Sequence, residues 1–118
     1  MNKEELRKII EKEDLKYAIL QFADLPGYMK GRTIPASVLP DILDGGIGFD
    51  GSSIPGFVSI EESDMIMKPN IDTFLVLPFH NGKVARVICD IYKPGGKRFE
   101  VDPRYIAQRA LERSRSEG

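Results

Sequence analysis

Apolar side chains near the start of the chain recur at helical spacing. Leu6, Ile9 and Ile10 share one face of a helix that Asn2 is placed to cap. The acids at positions 4 and 5 favour the same start, because the helix dipole stabilises negative charge in the first turn. The pattern therefore predicts a short amphipathic helix before the first strand.

The next apolar positions alternate with the period of a β-strand. Between 16 and 25 they occupy both alternating faces, which indicates a central strand with a helix over one side. Pro26-Gly27 predicts a turn, and 28–35 is expected to return antiparallel beside that strand.

The middle of the chain combines a brief helical stretch with several short strand candidates. Positions 36–44 indicate a helix that Pro40 must kink or restart. The strand candidates that follow are 47–50, 64–67, 73–77 and 84–92. Asn81-Gly82 is a strong hairpin signal, so the last two strands are expected to pair antiparallel.

A second helix is predicted near the end of the chain. Asp102 and Pro103 are typical of an N-cap and a first helical position. The helix carries an apolar stripe that is expected to pack against the domain itself: Ile106, Ala107, Ala110 and Leu111. Together the elements predict an α+β fold, a mixed sheet of about five strands with one or two packed helices.

Composition limits the classes of function. The 118 residues fit one domain, and 17 basic against 18 acidic side chains favour neither a nucleic-acid nor a membrane surface. Cys89 is the single cysteine, so no internal disulfide forms. The chain has no signal core and no apolar run of membrane-spanning length, and the expected location is the cytoplasm.

Few residues offer chemistry by themselves. His80 is the one histidine and is expected to be a solvated residue beside the hairpin turn. Cys89 falls on the apolar alternation of a strand, so packing is expected rather than a nucleophilic role. No Gly-rich loop opens a helix with a following Lys and Ser or Thr, so no phosphate cradle of the P-loop kind is expected.

One segment, 48–64, concentrates acids and hydroxyls among small residues. Its polar members are Asp50, Ser52, Ser53, Glu61, Glu62 and Asp64. Carboxylate and hydroxyl oxygens bind hard cations or accept hydrogen bonds from ammonium, and small residues permit close approach of a ligand or another chain. An ordinary solvated loop with an Asp-Gly turn has the same composition, so both interpretations stand on these grounds.

Five motifs in this order resemble the N-terminal domain of glutamine synthetases. They are Gln21-Phe22-Ala23-Asp24 with Gly27, Asp50-Gly51-Ser52-Ser53-Ile54 with Gly56-Phe57, Glu62-Ser63-Asp64-Met65, Cys89-Asp90-Ile91, and Asp102-Pro103-Arg104 with Ala107 and Arg109. The resemblance spans about 16–113. It implies a β-grasp domain over 1–102, with 103–118 beginning the helix that leads into a catalytic domain beyond this chain.

The resemblance also implies a reaction. Glutamine synthetases join glutamate and ammonia at the expense of ATP, through γ-glutamyl phosphate, with Mg²⁺ or Mn²⁺. Their metal, ATP and glutamate contacts lie almost entirely in the catalytic domain, so this chain is expected to bind no cofactor or metal and to be inactive alone. In the family the N-terminal domain completes the neighbouring subunit's active site in a ring, expected here to be a dodecamer. By that resemblance Asp50 would bind ammonium and take its proton, and Ser53 would lend an oxygen.

Two positions depart from the family's pattern. Ser59 stands where the feedback-regulated subtype has an arginine, so regulation by glutamine is not carried over. Ala23 replaces the family's threonine and is expected to be neutral. Two alternatives stay open: a free-standing β-grasp binding module, and part of a related γ-glutamyl ligase whose amine is larger than ammonia.

Overall fold

The computed structural model describes residues 1–23, 29–50, 64–78, 80–93, 98 and 102–117. Within these ranges the chain forms two α-helices, five strands and two 3₁₀ segments. In chain order they are α1 (Lys3–Lys12), β1 (Tyr17–Ala23), β2 (Met29–Pro35), a 3₁₀ helix (Ala36–Ile42), β3 (Ile47–Asp50), β4 (Asp64–Val76), a 3₁₀ turn (His80–Gly82), β5 (Val84–Tyr92) and α2 (Pro103–Glu117).

The five strands make one mixed sheet in the order β2-β1-β5-β4-β3. β1 and β5 run parallel, and the other three neighbouring pairs are antiparallel. β1 therefore has neighbours on both sides, as its two apolar faces predict, and β4 and β5 form the predicted antiparallel pair. The α+β prediction of a mixed five-stranded sheet is confirmed, while the turn predicted at Pro26-Gly27 lies outside the described residues.

The core lies between one face of the sheet and the layer made by α1 and the 3₁₀ helix. From the sheet, β1 contributes Leu20 and β5 contributes Val87, both fully buried. From the other layer, Leu6 of α1 and Leu39 of the 3₁₀ helix are also fully buried. Asn2 caps α1 as predicted, because its side chain accepts a hydrogen bond from Glu5 N at 2.8 Å.

β4 differs from the prediction, which placed two separate strands at 64–67 and 73–77. The structure has one strand of 13 residues, with a shift in its register against β5 between Asn70 and Leu75. Thr73 makes this continuity possible, since its hydroxyl accepts from Ile88 N at 2.7 Å and donates to Asn70 O at 2.7 Å. A side chain thus replaces the backbone partner that the irregularity removes.

α2 also differs from the prediction, although its start is confirmed. Asp102 accepts a hydrogen bond from Arg104 N at 3.2 Å, and the helix begins at Pro103. The expected packing of the apolar stripe on the domain is wrong, because Ile106, Ala107, Ala110 and Leu111 are exposed. Polar side chains face the sheet instead. Among the helices that the structure describes, none is long and apolar enough to cross a membrane.

Candidate functional site

Asp50 is the last residue of β3, a strand whose entry depends on a glycine. Gly46 has φ +72°, and a Cβ placed there would lie 2.6 Å from the Met67 carbonyl oxygen. Only glycine permits both this conformation and this approach. Gly46 N also donates to Ile42 O at 2.9 Å, which ties the start of β3 to the 3₁₀ helix. The local sequence therefore determines where the strand that carries Asp50 begins.

Two acidic residues lie opposite each other at the end of this strand pair. Asp50 is directly opposite Asp64 in the β3/β4 register, and both residues are exposed. Like charges opposite each other destabilise an antiparallel pair, so a cation arriving between them is favoured. Of the polar residues noted in the segment 48–64, the structure brings these two together. Ser52, Ser53, Glu61 and Glu62 lie outside the described residues, as does Ser59.

An open groove runs from Asp50 towards β2. Its lining includes Phe22, Lys30, Arg32, Phe49, Asp50 and Met67. The rings of Phe22 and Phe49 lie 5.2 Å apart between centroids, and Arg32 Nη1 donates to Gly48 O at 3.1 Å. Sequence reasoning missed both basic residues, because only the curvature of the sheet brings β2 close to β3. The spacing of Lys30 and Arg32 from Asp50 along the chain does not indicate that all three line one groove.

The donor set of the site determines whether it could hold a metal ion by itself. Among the described residues no group of three His, Cys, Asp or Glu is placed to hold one. Asp50 and Asp64 supply two carboxylates, and one or two carboxylates hold Mg²⁺ in proteins when water or substrate phosphate supplies the remaining ligands. The described residues therefore do not form a dedicated protein cage for a divalent cation, and a metal ion here would need water or substrate to complete its ligands.

Cys89 is a core residue of β5, as its position in the apolar alternation predicts. Its side chain is fully buried, and burial raises the pKa of the thiol to about 12, with the neighbouring Asp90 carboxylate acting in the same direction. The thiol consequently stays protonated near neutral pH. Since the thiolate is the nucleophilic form, Cys89 is confirmed as a packing residue.

A polar cluster fastens α2 to β5. Asp102 is fully buried, and its Oδ2 accepts from Ile91 N at 3.2 Å and from Arg98 Nη2 at 3.1 Å. Burial raises the pKa of Asp102, while the Ile91 and Arg104 amides and the Arg98 guanidinium act in the opposite direction. Arg104 Nε donates to Asp90 Oδ1 at 2.9 Å. These contacts join α2 to β5, so the cluster has a structural role.

Comparison with known proteins identifies the family. The family model described as "Glutamine synthetase, beta-Grasp domain" matches residues 14–94. The chain belongs to this family. The resemblance drawn from the five motifs is thereby confirmed, and so is the β-grasp fold.

Curated relatives of this β-grasp domain agree with the family model. The glutamine synthetase of Thermotoga maritima is 49% identical over 120 residues, covering 100% of this chain and 27% of the relative. That of Thermus thermophilus is 46% identical, covering 98% of this chain and 27% of the relative. A Staphylococcus aureus glutamine synthetase is 50% identical, covering 92% and 25%. The chain thus spans about a quarter of the length of these relatives.

Solved structures support the same fold. Plasmodium falciparum glutamine synthetase, seen by cryo-electron microscopy, aligns with a TM-score of 0.86 at 24% identity over 99% of this chain and 23% of its own. A structure titled "GmaS/ADP complex" aligns with a TM-score of 0.85 at 23% identity, covering 95% of this chain and 26% of its own. At 23% and 24% sequence identity, the similarity to these structures supports a shared fold and nothing further.

Proposed function

We propose that this chain is the β-grasp domain of an ATP-dependent glutamine synthetase and lends Asp50 to the active site of a neighbouring subunit. The domain covers 1–102, and 103–118 leads into the catalytic domain. That domain would supply the contacts to ATP, glutamate and Mg²⁺ or Mn²⁺, within a cytoplasmic ring of subunits that we expect to be a dodecamer. One observation carries the proposal: Asp50 of the family's Asp-Gly-Ser-Ser motif lies exposed at the end of an edge strand.

The chemistry of ammonium explains what a carboxylate does there. Ammonium is a cation with four N–H donors and no lone pair, so it cannot attack an acyl phosphate before it loses a proton. A carboxylate attracts the cation and can receive that proton as a general base. Asp64, opposite Asp50 in the ladder, adds negative charge at the same end of the strand pair. Ser53 is proposed to lend an oxygen to the same site.

The position of Asp50 also suits a role in the active site of another chain. Asp50 ends a strand at the edge of the sheet, and its exposure leaves the carboxylate reachable from outside the domain. β3 itself is fixed to the core by Phe49, which packs on the buried Phe22. A strand that packs on the core and ends in an exposed acid can present the acid at a subunit interface without unfolding of the domain.

The test is Asp50→Asn in the full-length enzyme that carries this domain. The substitution keeps the size of the side chain and removes its charge and its capacity to accept a proton. Ammonia-dependent glutamine synthesis is expected to fall roughly 10²-fold or more, the usual scale for a general base. Formation of γ-glutamyl phosphate from ATP and glutamate should fall much less. Part of the lost rate should return at high pH, where more free ammonia is present.

Asp72→Asn is the matched control, because Asp72 is an exposed acid of the same sheet in the irregular part of β4. It should leave ammonium saturation unchanged. Rates measured across ammonium concentration and pH, beside melting curves and ring assembly by sedimentation, separate catalysis from structure. Unchanged ammonium saturation with a lowered melting temperature in Asp50→Asn would reduce Asp50 to a turn residue.

A further inference from the structure

Arg32 joins two strands that the topology places far apart. β2 and β3 are the opposite edges of the sheet, with β1, β5 and β4 between them. Nevertheless Arg32 Nη1 on β2 donates to Gly48 O on β3 at 3.1 Å. The sheet curves enough to bring its two edges within reach of one arginine side chain.

β3 is a short edge strand that packs on the core through Ile47 and Phe49. Within the described residues it is four residues long and its ladder hydrogen bonds come from β4 alone. Gly48 is two positions before Asp50, so both lie on the same side of the strand. A hydrogen bond to the Gly48 carbonyl from the opposite edge therefore limits movement of the strand close to the point where Asp50 leaves it.

An arginine suits this contact better than other polar residues. Its side chain is long enough to cross the open groove, and its planar guanidinium holds several donors in fixed directions. The neighbouring Gly31 keeps β2 close to β1, because a Cβ there would lie 3.2 Å from Ile19 Cγ2. The contact is exposed to solvent. Losing it is therefore expected to displace β3 rather than to unfold the domain.

We propose that Arg32 is a positioning residue for Asp50: by binding the Gly48 carbonyl across the two sheet edges, it fixes the direction in which Asp50 enters the neighbouring active site. The inference rests on the proposed function, since it concerns how that carboxylate is aimed. Arg32 itself acts on the strand and not on the substrate.

The experiment compares Arg32→Met with Arg32→Lys in the full-length enzyme that carries this domain. Methionine keeps most of the length and removes charge and donors, whereas lysine keeps the charge and one donor position. For Arg32→Met the KM for ammonium is expected to rise about 3- to 10-fold, the value of one surface hydrogen bond. The KM values for ATP and glutamate, γ-glutamyl phosphate formation and the melting temperature should change little. Lysine should restore part of the ammonium affinity.

Arg7→Met is the matched control, because Arg7 is also an exposed arginine and its partners, Glu4 and Asp41, lie on α1 and the 3₁₀ helix. It should leave the KM for ammonium unchanged. The double variant with Asp50→Asn tests the route of the effect: if Arg32 acts through Asp50, Arg32→Met should add nothing in that background.

The outcomes distinguish the two proposals. If Asp50→Asn leaves ammonium saturation unchanged, the proposed function fails. The positioning role alone is overturned if Asp50→Asn acts as expected and Arg32→Met leaves the KM for ammonium unaltered. It is equally overturned if Arg32→Met lowers the melting temperature and every partial reaction together, or if its effect persists undiminished beside Asp50→Asn.

Discussion

At the residue scale, the direction in which a β5 side chain points decides what it can do. Cys89 and Asp90 are neighbours in sequence and lie on opposite faces of the sheet. Cys89 points into the core, where burial keeps its thiol protonated. Asp90 points towards α2, where its carboxylate accepts from Arg104 Nε at 2.9 Å and lies 3.6 Å from Arg98 Nη1. One residue contributes apolar contact and the other an ion pair, from adjacent positions.

Cys89 should react with a thiol reagent only when the domain opens. With a pKa raised from 9.0 to about 12, the native protein holds roughly 10³-fold less thiolate than the unfolded chain near pH 8. Because the folded state binds this proton more tightly, its contribution to stability is full below pH 9 and is lost as pH rises towards 12. Labelling with a chromogenic disulfide at pH 8, with and without denaturant, checks this. Rapid stoichiometric labelling of the native chain would contradict it, and Cys89→Ala gives the blank.

Residue roles were predictable where one strand or one helix end decides them. Strand alternation was enough to place Cys89 in the core, and the local Asp-Pro pattern was enough to identify Asp102 as a cap. The hydrogen bond that Ile91 N donates to Asp102 joins β5 to the start of α2, and the one that Arg32 donates to Gly48 O joins the two edge strands of the sheet. Such contacts depend on the curvature and packing of the whole sheet, which a single sequence does not reveal.

At the element scale, α2 is held to the sheet by charge rather than by apolar packing. Arg98 connects Asp102 to the ring of Tyr105, with its guanidinium carbon 4.4 Å from the ring centroid. Gln108 accepts from Arg98 Nη1 at 3.0 Å. The cap that starts the helix is thus the same carboxylate that joins it to β5. Asp102 is the buried member of this cluster, and the Arg104–Asp90 contact is a second link between α2 and β5.

Asp102→Ala should therefore destabilise the domain far more than loss of an ordinary cap. It removes the acceptor of three hydrogen bonds, leaves the Ile91 amide without its acceptor and takes from Arg98 Nη2 its buried carboxylate. A loss of about 3–5 kcal/mol in the free energy of unfolding is expected, as for a broken buried pair. Denaturant unfolding followed by circular dichroism measures it. Asp72→Ala, at an exposed acid, should cost under about 0.5 kcal/mol; an equal cost for both variants would contradict the buried-anchor account.

Element types were easier to predict than element limits. The predicted helix over 36–44 proved to be a 3₁₀ helix over Ala36–Ile42, since Pro40 lacks the N–H that an α-helix would use. β4 continues through a stretch that has no clear alternation, because the Thr73 hydroxyl stands in for a backbone group. Both departures arise from single side chains that alter backbone hydrogen bonding locally. The periodicity of apolar residues does not register such changes in hydrogen bonding.

At the scale of the whole molecule, apolar surface is distributed unevenly. α1 and the 3₁₀ helix cover one face of the sheet, and the buried core lies beneath them. α2 presents polar groups to the sheet and turns its apolar side outward, so Ile106 is 49% exposed and Leu111 is 52% exposed. Adjacent exposed apolar side chains of this kind typically mark a contact surface. The outward side of α2 is therefore where this chain should associate.

We expect the 118-residue chain to self-associate through α2. Ile106→Ser with Leu111→Ser removes the two largest exposed apolar groups of that helix and should shift the weight-average mass towards the monomer. The melting temperature should change little, because neither side chain is part of the buried core. Sedimentation velocity across protein concentration measures the shift.

Tyr17→Ser is the control, since Tyr17 is 53% exposed but lies on β1. If the control reduces association as much as the α2 variant does, a general effect of exposed apolar area explains the result. A chain that is monomeric at every concentration would rule out α2 as a contact surface between copies.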